Sequence, residues 1–363
     1  MKIGICCFAY DEGRSGISEY INQALKYFST CESEVYCFIP SYEFIHLPKK
    51  IKETQLKFVV INLPKSKMLE LFFTYILLPF YYLKTGVDCV FYPAGNRRLN
   101  FFPLGRTVTT FHDLSQYHIE GKYDVFRTFY IKYFIPFFLK RVGHIFAISK
   151  STQVDIVNFF GFKESEIEVN YNGFEPSLLG RTVEKKKEIL YVSRIEHPGK
   201  NHLNLLKAFR KLPEAIQTSY ELVFAGKEWS GAEVVKEFIV KENLQDKVIM
   251  TGFLESQELA DCYTRASLFV HPSLFEGFGL PLLEAMNNDL NLCVSDIPVF
   301  REVCGESVIY FDANSPDDMA LKIERALELA PKSKGFNDRL KLFDWDLHFS
   351  KVHGSCKDLV NRR

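Results

Sequence analysis

The chain has 363 residues, 47% of them hydrophobic and 25% charged, a mixture that buries sizeable cores and excludes intrinsic disorder and collagen-like architecture. Forty-five Lys and Arg balance 45 Asp and Glu, so no global charge points to nucleic acid. At about 100–200 residues per domain, the length predicts two domains.

The opening, MKIGICCFAY, runs straight into Asp11, Glu12 and Arg14. A secretory signal needs a longer apolar core and a small-residue cleavage site, so this stretch reads as a first β-strand. In the first half KIGICC, EVYCFI, KFVVI, DCVFY, TVTTF and HIFAI read as buried strands, with helices expected at about 15–30, 68–84, 123–141 and 149–159. In the second half EILYVS, ELVFAG, KVIMTG, SLFVHP and LNLCVS read as strands, separated by helices at about 200–211, 231–243, 256–265, 281–287 and 315–329. Strand–helix alternation predicts parallel sheets with helices on both faces. The series restarts after a polar stretch, Arg181–Lys187, which reads as a linker. The expected fold class is α/β: two doubly wound, Rossmann-like domains, 1–180 and 181–344, facing each other across a cleft. In such folds ligands sit at the carboxyl ends of strands and at helix N-termini.

Nine scattered cysteines, with Cys6 and Cys7 adjacent, form no CxxC and no Cys/His cluster. That usage predicts reduced, mostly buried thiols in a cytosolic protein. Of the 54 aromatic residues, 36 lie in residues 1–180, so the first half is the aromatic one. Two segments there invite comparison with membrane spans. Residues 68–83 are apolar but carry Glu70 and Pro79 and fall short of the roughly 20 apolar residues that a span needs. Residues 125–141 mix aromatics with Arg127, Lys132, Lys140, Arg141 and Pro136. Each reads either as a buried helix or as an aromatic-basic surface that touches anionic headgroups.

The most informative stretch runs Ser273-Leu-Phe-Glu276-Gly-Phe-Gly-Leu-Pro-Leu-Leu-Glu284, between a strand and a helix. Pro281 suits a first helical turn, where its missing N–H costs nothing. Gly277 and Gly279 let a ligand approach the backbone. The N–H groups of Phe278, Gly279 and Leu280, backed by the helix dipole, make an anion site. Glu276 and Glu284 flank it, which suits a ligand carrying both phosphate and hydroxyls, since a carboxylate accepts from a diol. A nucleotide sugar has both.

EGFGLPLLEA resembles the E-x7-E signature of the retaining GT-B glycosyltransferases of the large family four. ILYVSRIEHPGKNHLNLLKAF, LVFAGK, VIMTGF, ASLFVHPS and VSDIPVFREVCGESVIYFDANSPDDMALKI are similar to that family's C-terminal domain, in its order. GRSGISEY, TFHDLS, FAISKST and VNYNGFEP resemble its N-terminal domain. The resemblance implies that Arg194 and Lys200 bind the donor diphosphate, Glu284 the ribose, and Glu276 the hydroxyls of the transferred sugar. It places Leu254 beside the nucleobase, the Gly16 backbone near the donor phosphate and acceptor, and His112 near the reactive carbon. It also implies a final helix, about 345–361, that crosses back to the first domain, and retention of anomeric configuration. Two positive side chains suffice for a diphosphate if no metal is present, so no metal and no cofactor are expected. The chain departs from the family pattern in the loop Asn287–Asn291, where a glycine turn is usual, and in the sparser glycines of Gly13-Arg-Ser-Gly16.

Asp344-Trp-Asp346 is formally a DxD, the metal–diphosphate motif of the other large glycosyltransferase fold, but its position ahead of a terminal helix predicts a cap. Neither GxGxxG after the first strand nor GxxxxGK[ST] occurs, which argues against dinucleotide oxidoreductases and P-loop NTPases. A glycosidase also uses two carboxylates, but would have no use for Arg194 and Lys200. A nucleotide-sugar-binding protein without transferase activity is the remaining alternative. The reading favoured is a glycosyltransferase acting in the cytoplasm or at the cytosolic face of a membrane. Its donor would be a UDP- or GDP-sugar and its acceptor a lipid-linked saccharide of surface polysaccharide or lipopolysaccharide assembly.

Overall fold

The computed structural model describes residues 1–100, 106–119, 129–175, 184–329 and 335–362. Two compact units divide the chain: Met1–Gly173 with Asp344–Arg363, and Phe174–Phe343. Part of the stretch read as a linker, residues 181–183, lies outside the described residues.

The first unit is built on seven parallel strands, β1 Lys2–Cys6, β2 Glu34–Pro40, β3 Lys57–Ile61, β4 Cys89–Tyr92, β5 Thr107–Phe111, β6 His144–Ala147 and β7 Glu168–Val169. Their order across the sheet is β3-β2-β1-β4-β5-β6-β7. All five residues of β5 are buried, as expected of a strand covered by helices on both faces. Two of those helices show why their sequences fold as they do. Gly16–Phe28 starts at Ser15, whose hydroxyl accepts from the Ser18 N–H while Ser18 returns the bond, a reciprocal cap. Its apolar residues Ile17, Tyr20, Ile21, Ala24, Leu25 and Phe28 recur every three or four positions and are buried, so one stripe faces the sheet. Each fully buried large side chain in that stripe contributes about 1.5–3 kcal/mol. The terminal helix Trp345–Asn361 belongs to this unit. Asp344 caps it, accepting from the Leu347 N–H at 2.7 Å, so the DxD pattern is a helix start.

The apolar segment expected at 68–84 is three pieces: Lys67–Phe72, a π-helical turn Phe73–Leu77, and Leu78–Thr85. A π turn, Tyr130–Phe134, likewise precedes Ile135–Leu139. In both cases the wide turn leads into a helix with proline in its first turn, Pro79 or Pro136. Proline has no N–H and its ring crowds the carbonyl four residues back, and the π turn accommodates both. The buried-helix expectation holds for the inner face only. Phe73, Leu78 and Tyr82 are buried, whereas Phe72, Phe80 and Leu83 are more than half exposed. Residues 120–128, including Arg127, lie outside the described residues.

The second unit carries β8 Glu188–Val192, β9 Glu221–Ala225, β10 Val248–Gly252, β11 Leu268–His271, β12 Asn291–Ser295 and β13 Ile309–Phe311. They form a parallel sheet in the order β10-β9-β8-β11-β12-β13. β8 and β12 are buried throughout. The helices His202–Lys211 and Pro316–Glu328 pack together on it, with Leu205, Phe209, Met319 and Ile323 in one core. The sequence pattern missed β7 and β13, strands of two and three residues at the sheet edges, too short to show a period. All nine cysteines are free, eight of them buried. Among the described residues no helix is long and apolar enough to cross a membrane.

Candidate active site

The second sheet reverses its winding between β8 and β11, which lie side by side with Leu268 opposite Ile189. The chain leaves these strands toward opposite edges of the sheet, opening a crevice at their carboxyl ends, where doubly wound folds bind ligands. The loop after β8 holds Arg194 and Lys200, and the loop after β11 holds Glu276. A backbone hydrogen bond ties the two loops together, and a β8 side chain braces the first of them. The Leu274 N–H donates to the Gly199 carbonyl at 3.0 Å, and the Tyr191 hydroxyl donates to the Lys200 carbonyl at 2.9 Å. Asn201, in a left-handed conformation before His202–Lys211, does not cap that helix. Its amide instead donates to the carbonyls of Pro272 and Ala313, at 2.9 and 2.7 Å.

Glu276 is the centre of this arrangement. Its Oε1 accepts from Lys200 Nζ at 2.6 Å, from the Ser273 hydroxyl at 2.8 Å and from His271 Nε2 at 3.1 Å. Burial by itself would raise its pKa, but the Lys200 ammonium and the His271 hydrogen bond outweigh that and hold the carboxyl well below the usual carboxylate range. Burial lowers the pKa of His271. Sequence reasoning placed Glu276 and Lys200 in the site but missed His271 and Ser273 as their partners. A polar residue closing the apolar strand LFVH was the available signal.

Arg194 lies beside Glu196, Nη2 to Oε2 at 3.1 Å, and its guanidinium carbon stands 5.0 Å from the centre of the Trp229 ring. That stacking contributes about 0.5–1 kcal/mol and orients a group that still has several N–H donors. Glu284, in the helix Leu280–Asn287, accepts from the buried Tyr263 hydroxyl at 2.6 Å, a partner the sequence pattern did not signal.

Gly279 precedes that helix at φ 99°, and no side chain caps it. That backbone conformation demands glycine, and a Cβ there, 2.8 Å from Leu282 Cδ1, would also force the leucine side chain to shift. Phe278 is buried against Phe343, ring centres 5.6 Å apart, while Leu280 is half-buried. Leu254, just past β10, is half-buried beside the exposed Phe253. In the loop Asn287–Asn291, Asp289 takes φ 52°, a left-handed backbone conformation that glycine adopts most readily.

In the first unit, Gly16 and His112 lie past the carboxyl ends of β1 and β5. Gly16 opens its helix on the surface, and a Cβ there would meet nothing within 4 Å. His112 is buried, and its Nε2 lies 2.6 Å from the Pro93 carbonyl. A carbonyl only accepts, so Nε2 carries the proton. Burial pushes the pKa of the ring down to about 4, leaving a neutral imidazole with Nδ1 as an acceptor. The Tyr20 ring meets His112 edge-on at 4.6 Å, and the Tyr20 hydroxyl lies 2.7 Å from His348 Nε2 in the terminal helix. Arg14 pairs with Glu12 at 3.2 Å. Among the described residues no group of three or more His, Cys, Asp or Glu side chains is placed to hold a metal ion.

Two Rossmann-like parallel sheets, of seven and six strands, define a GT-B glycosyltransferase fold. Residues 14–178 match the model of Glycosyltransferase Family 4, and residues 180–341 that of glycosyl transferases group 1. The chain belongs to glycosyltransferase family four. It is 27% identical over 258 residues to the O-antigen chain mannosyltransferase RfbU of Salmonella typhimurium, covering 69% of this chain and 71% of that protein. Sucrose-phosphate synthase from Thermosynechococcus elongatus superposes with a TM-score of 0.80 at 16% identity, over 100% of both chains. Anabaena Alr3699/HepE, solved in complex with UDP and glucose, superposes at 0.74 and 16% identity, over 98% of this chain and 99% of that one.

Proposed function

We propose that the chain is a retaining, metal-independent hexosyltransferase. It moves a sugar from a UDP- or GDP-sugar to a hydroxyl of a lipid-linked saccharide in surface polysaccharide or lipopolysaccharide assembly. The observation that carries this reading is the Lys200–Glu276 pair at the β8/β11 reversal. A ligand with phosphate and hydroxyls in reach of each other uses both halves of that pair. Arg194, held between Glu196 and Trp229, would neutralise charge that grows on the leaving diphosphate, an electrostatic role. The bond from the anomeric carbon to the phosphate oxygen breaks, and a bond from that carbon to the acceptor oxygen forms on the same face. The acceptor's proton passes to the departing phosphate. His112, neutral, would take part as a hydrogen-bond acceptor, not as an acid.

The acceptor side of the reading is supported by the first unit's surface. The segment Lys67–Thr85 packs on Tyr130–Leu139 through Tyr75, whose ring stacks on Phe138 and whose hydroxyl bonds that of Tyr130. Phe72, Phe80, Leu83, Tyr133 and Phe137 remain exposed beside Lys132, Lys140 and Arg141. No carboxylate occurs in 71–87 or 129–145. Exposed aromatics with flanking cations suit an anionic interface, and the O-antigen role in the name of the Salmonella relative fits a membrane-borne acceptor.

The test is a donor screen with UDP- and GDP-sugars in parallel, read by released nucleotide with and without EDTA, and then NMR of the product. Turnover of one donor class without metal, giving an α linkage from an α donor, is expected. A β linkage overturns retention, and rescue of an EDTA-treated enzyme by magnesium or manganese overturns metal independence. Calorimetric binding of a nucleotide sugar without turnover would leave a binding protein instead, and cleavage of simple glycosides a glycosidase.

A further inference from the structure

Glu276 meets three donors, and all three reach the same oxygen. Lys200 Nζ, Ser273 Oγ and His271 Nε2 lie 2.6, 2.8 and 3.1 Å from Oε1. Oε2 has no hydrogen-bond partner among the described residues, although an ionised carboxylate can accept about four bonds. The side chain keeps 15% of its exposure, so the open oxygen is within reach of a ligand.

The His271 ring explains how this one-sided hold is maintained. It closes β11 and is 1% exposed. Its Nδ1 is buried with no hydrogen-bond partner among the described residues. A protonated ring would bury an unsatisfied N–H there and set a second cation beside Lys200, so the ring is neutral. A carboxylate only accepts, so its single proton sits on Nε2. His271 is thus a donor locked in one tautomer by burial, with the ring packed 4.8 Å from Phe300 and 5.3 Å from Tyr191. Tyr191 also reaches Ser273 Oγ at 3.2 Å and the Lys200 carbonyl at 2.9 Å, so all three donors to Oε1 share one packed wall.

We propose that His271 is a positioning residue for Glu276. With Ser273 and Lys200 it gathers the carboxylate by Oε1 and so presents Oε2 to a hydroxyl of the transferred sugar. The substrate half of this rests on the glycosyl-transfer reading above, and the tautomer half does not. Lys200 gains a second consequence. Its charge is already answered by Glu276, so its remaining N–H groups act on phosphate as oriented donors, and one side chain links the sugar's hydroxyl acceptor to the diphosphate.

The experiment combines nitrogen-15 NMR of the imidazoles in the full chain at neutral pH with steady-state kinetics of three variants. A neutral His271 ring protonated on Nε2, perturbed by Glu276→Gln, is expected. His271→Leu should lower kcat about tenfold or more while the affinity for free UDP or GDP stays within about twofold, because the lost donor orients the sugar contact only. His271→Gln, which keeps an N–H at a similar reach, should restore most of the rate. A ring protonated on Nδ1, or charged, overturns the proposal. So do equal losses in the Leu and Gln variants, or nucleotide affinity that falls in step with kcat. If His271→Leu does not fold, Ser273→Ala carries the kinetic arm with the same kcat-only loss expected. If the wild-type chain turns over no nucleotide sugar, the transfer reading fails. The ring state of His271 then decides the positioning of Glu276 by itself.

Discussion

Two sites, one in each domain, hold their buried ionisable groups by opposite means. At the β8/β11 reversal, Glu276 stays charged because a counter-charge arrives from the neighbouring loop and two neutral donors join it. In the first domain His112 and His348 are buried more deeply than Glu276, and they meet backbone carbonyls and a tyrosine hydroxyl. Both lose their proton, with pKa values pushed down to about 4 and about 3 by burial. A group removed from water keeps its charge only where another charge is built beside it. Otherwise it becomes a neutral hydrogen-bonding part.

The largest effect expected from this contrast is on stability in acid. An imidazole whose folded pKa lies below its unfolded value, about 6.5, takes up its proton first in the unfolded chain. Stability from His112, His348 and the similarly depressed His202 is full above about pH 6.5 and falls as pH drops toward the folded values. Three such rings lose about 4 kcal/mol per pH unit at most. Burial raises the Glu43 carboxyl to about 7, so it gains stability as pH falls through the same window and offsets part of that loss. Glu276 adds nothing in that window, since its lowered pKa makes its contribution full above about pH 4.3 and lost only in stronger acid. Denaturant melts at pH 7 and pH 5.5 check this, and equal stability at the two would break the contrast.

Next comes Lys200→Met, which removes the counter-charge and keeps most of the stem. Donor kcat/KM should fall by about a hundredfold or more, roughly 3 kcal/mol, whereas a loss below about fivefold would mean Glu276 does not depend on its partner. Arg194→Ala should cost about 2 kcal/mol of transition-state stabilisation on the same assay. The glutamates should separate kinetically. Glu284→Gln raises the donor KM, and Glu276→Gln lowers kcat. The reverse pattern would exchange their roles. The smallest effect belongs to the first domain's surface. Removing Lys140 should weaken binding to anionic vesicles by about 1 kcal/mol, roughly fivefold, in co-sedimentation at low salt. No binding of the unmutated chain would defeat the membrane reading.

Much of this fold could be read from periodicity. Among the described residues, 11 of the 13 strands lie in the apolar runs marked along the chain, because strands covered on both faces must be apolar end to end. The helix start at Gly279-Leu280-Pro281 was equally legible, since glycine, proline and flanking acids each answer a local demand. Tyr263 was not. Nothing in its neighbourhood distinguishes a tyrosine that fills a core from one whose hydroxyl meets Glu284 at 2.6 Å. Nor did apolarity separate the exposed Phe80 from the buried Tyr82 two residues on, because the π turn before them breaks the 3.6-residue period on which such a reading rests.

The sequence by itself determined the strand–helix alternation, the parallel sheets it compels and the family to which the chain belongs. The tertiary structure alone decided that Lys200, His271 and Ser273 converge on one oxygen of Glu276. Lys200 and Glu276 stand 76 positions apart, and they meet because β8 and β11 are neighbours across a sheet whose winding reverses between them. Local pattern reports which side chains leave water. It carries no record of which distant loops hydrogen bonding between strands will bring side by side, and the charge state of a part-buried group depends on that neighbour.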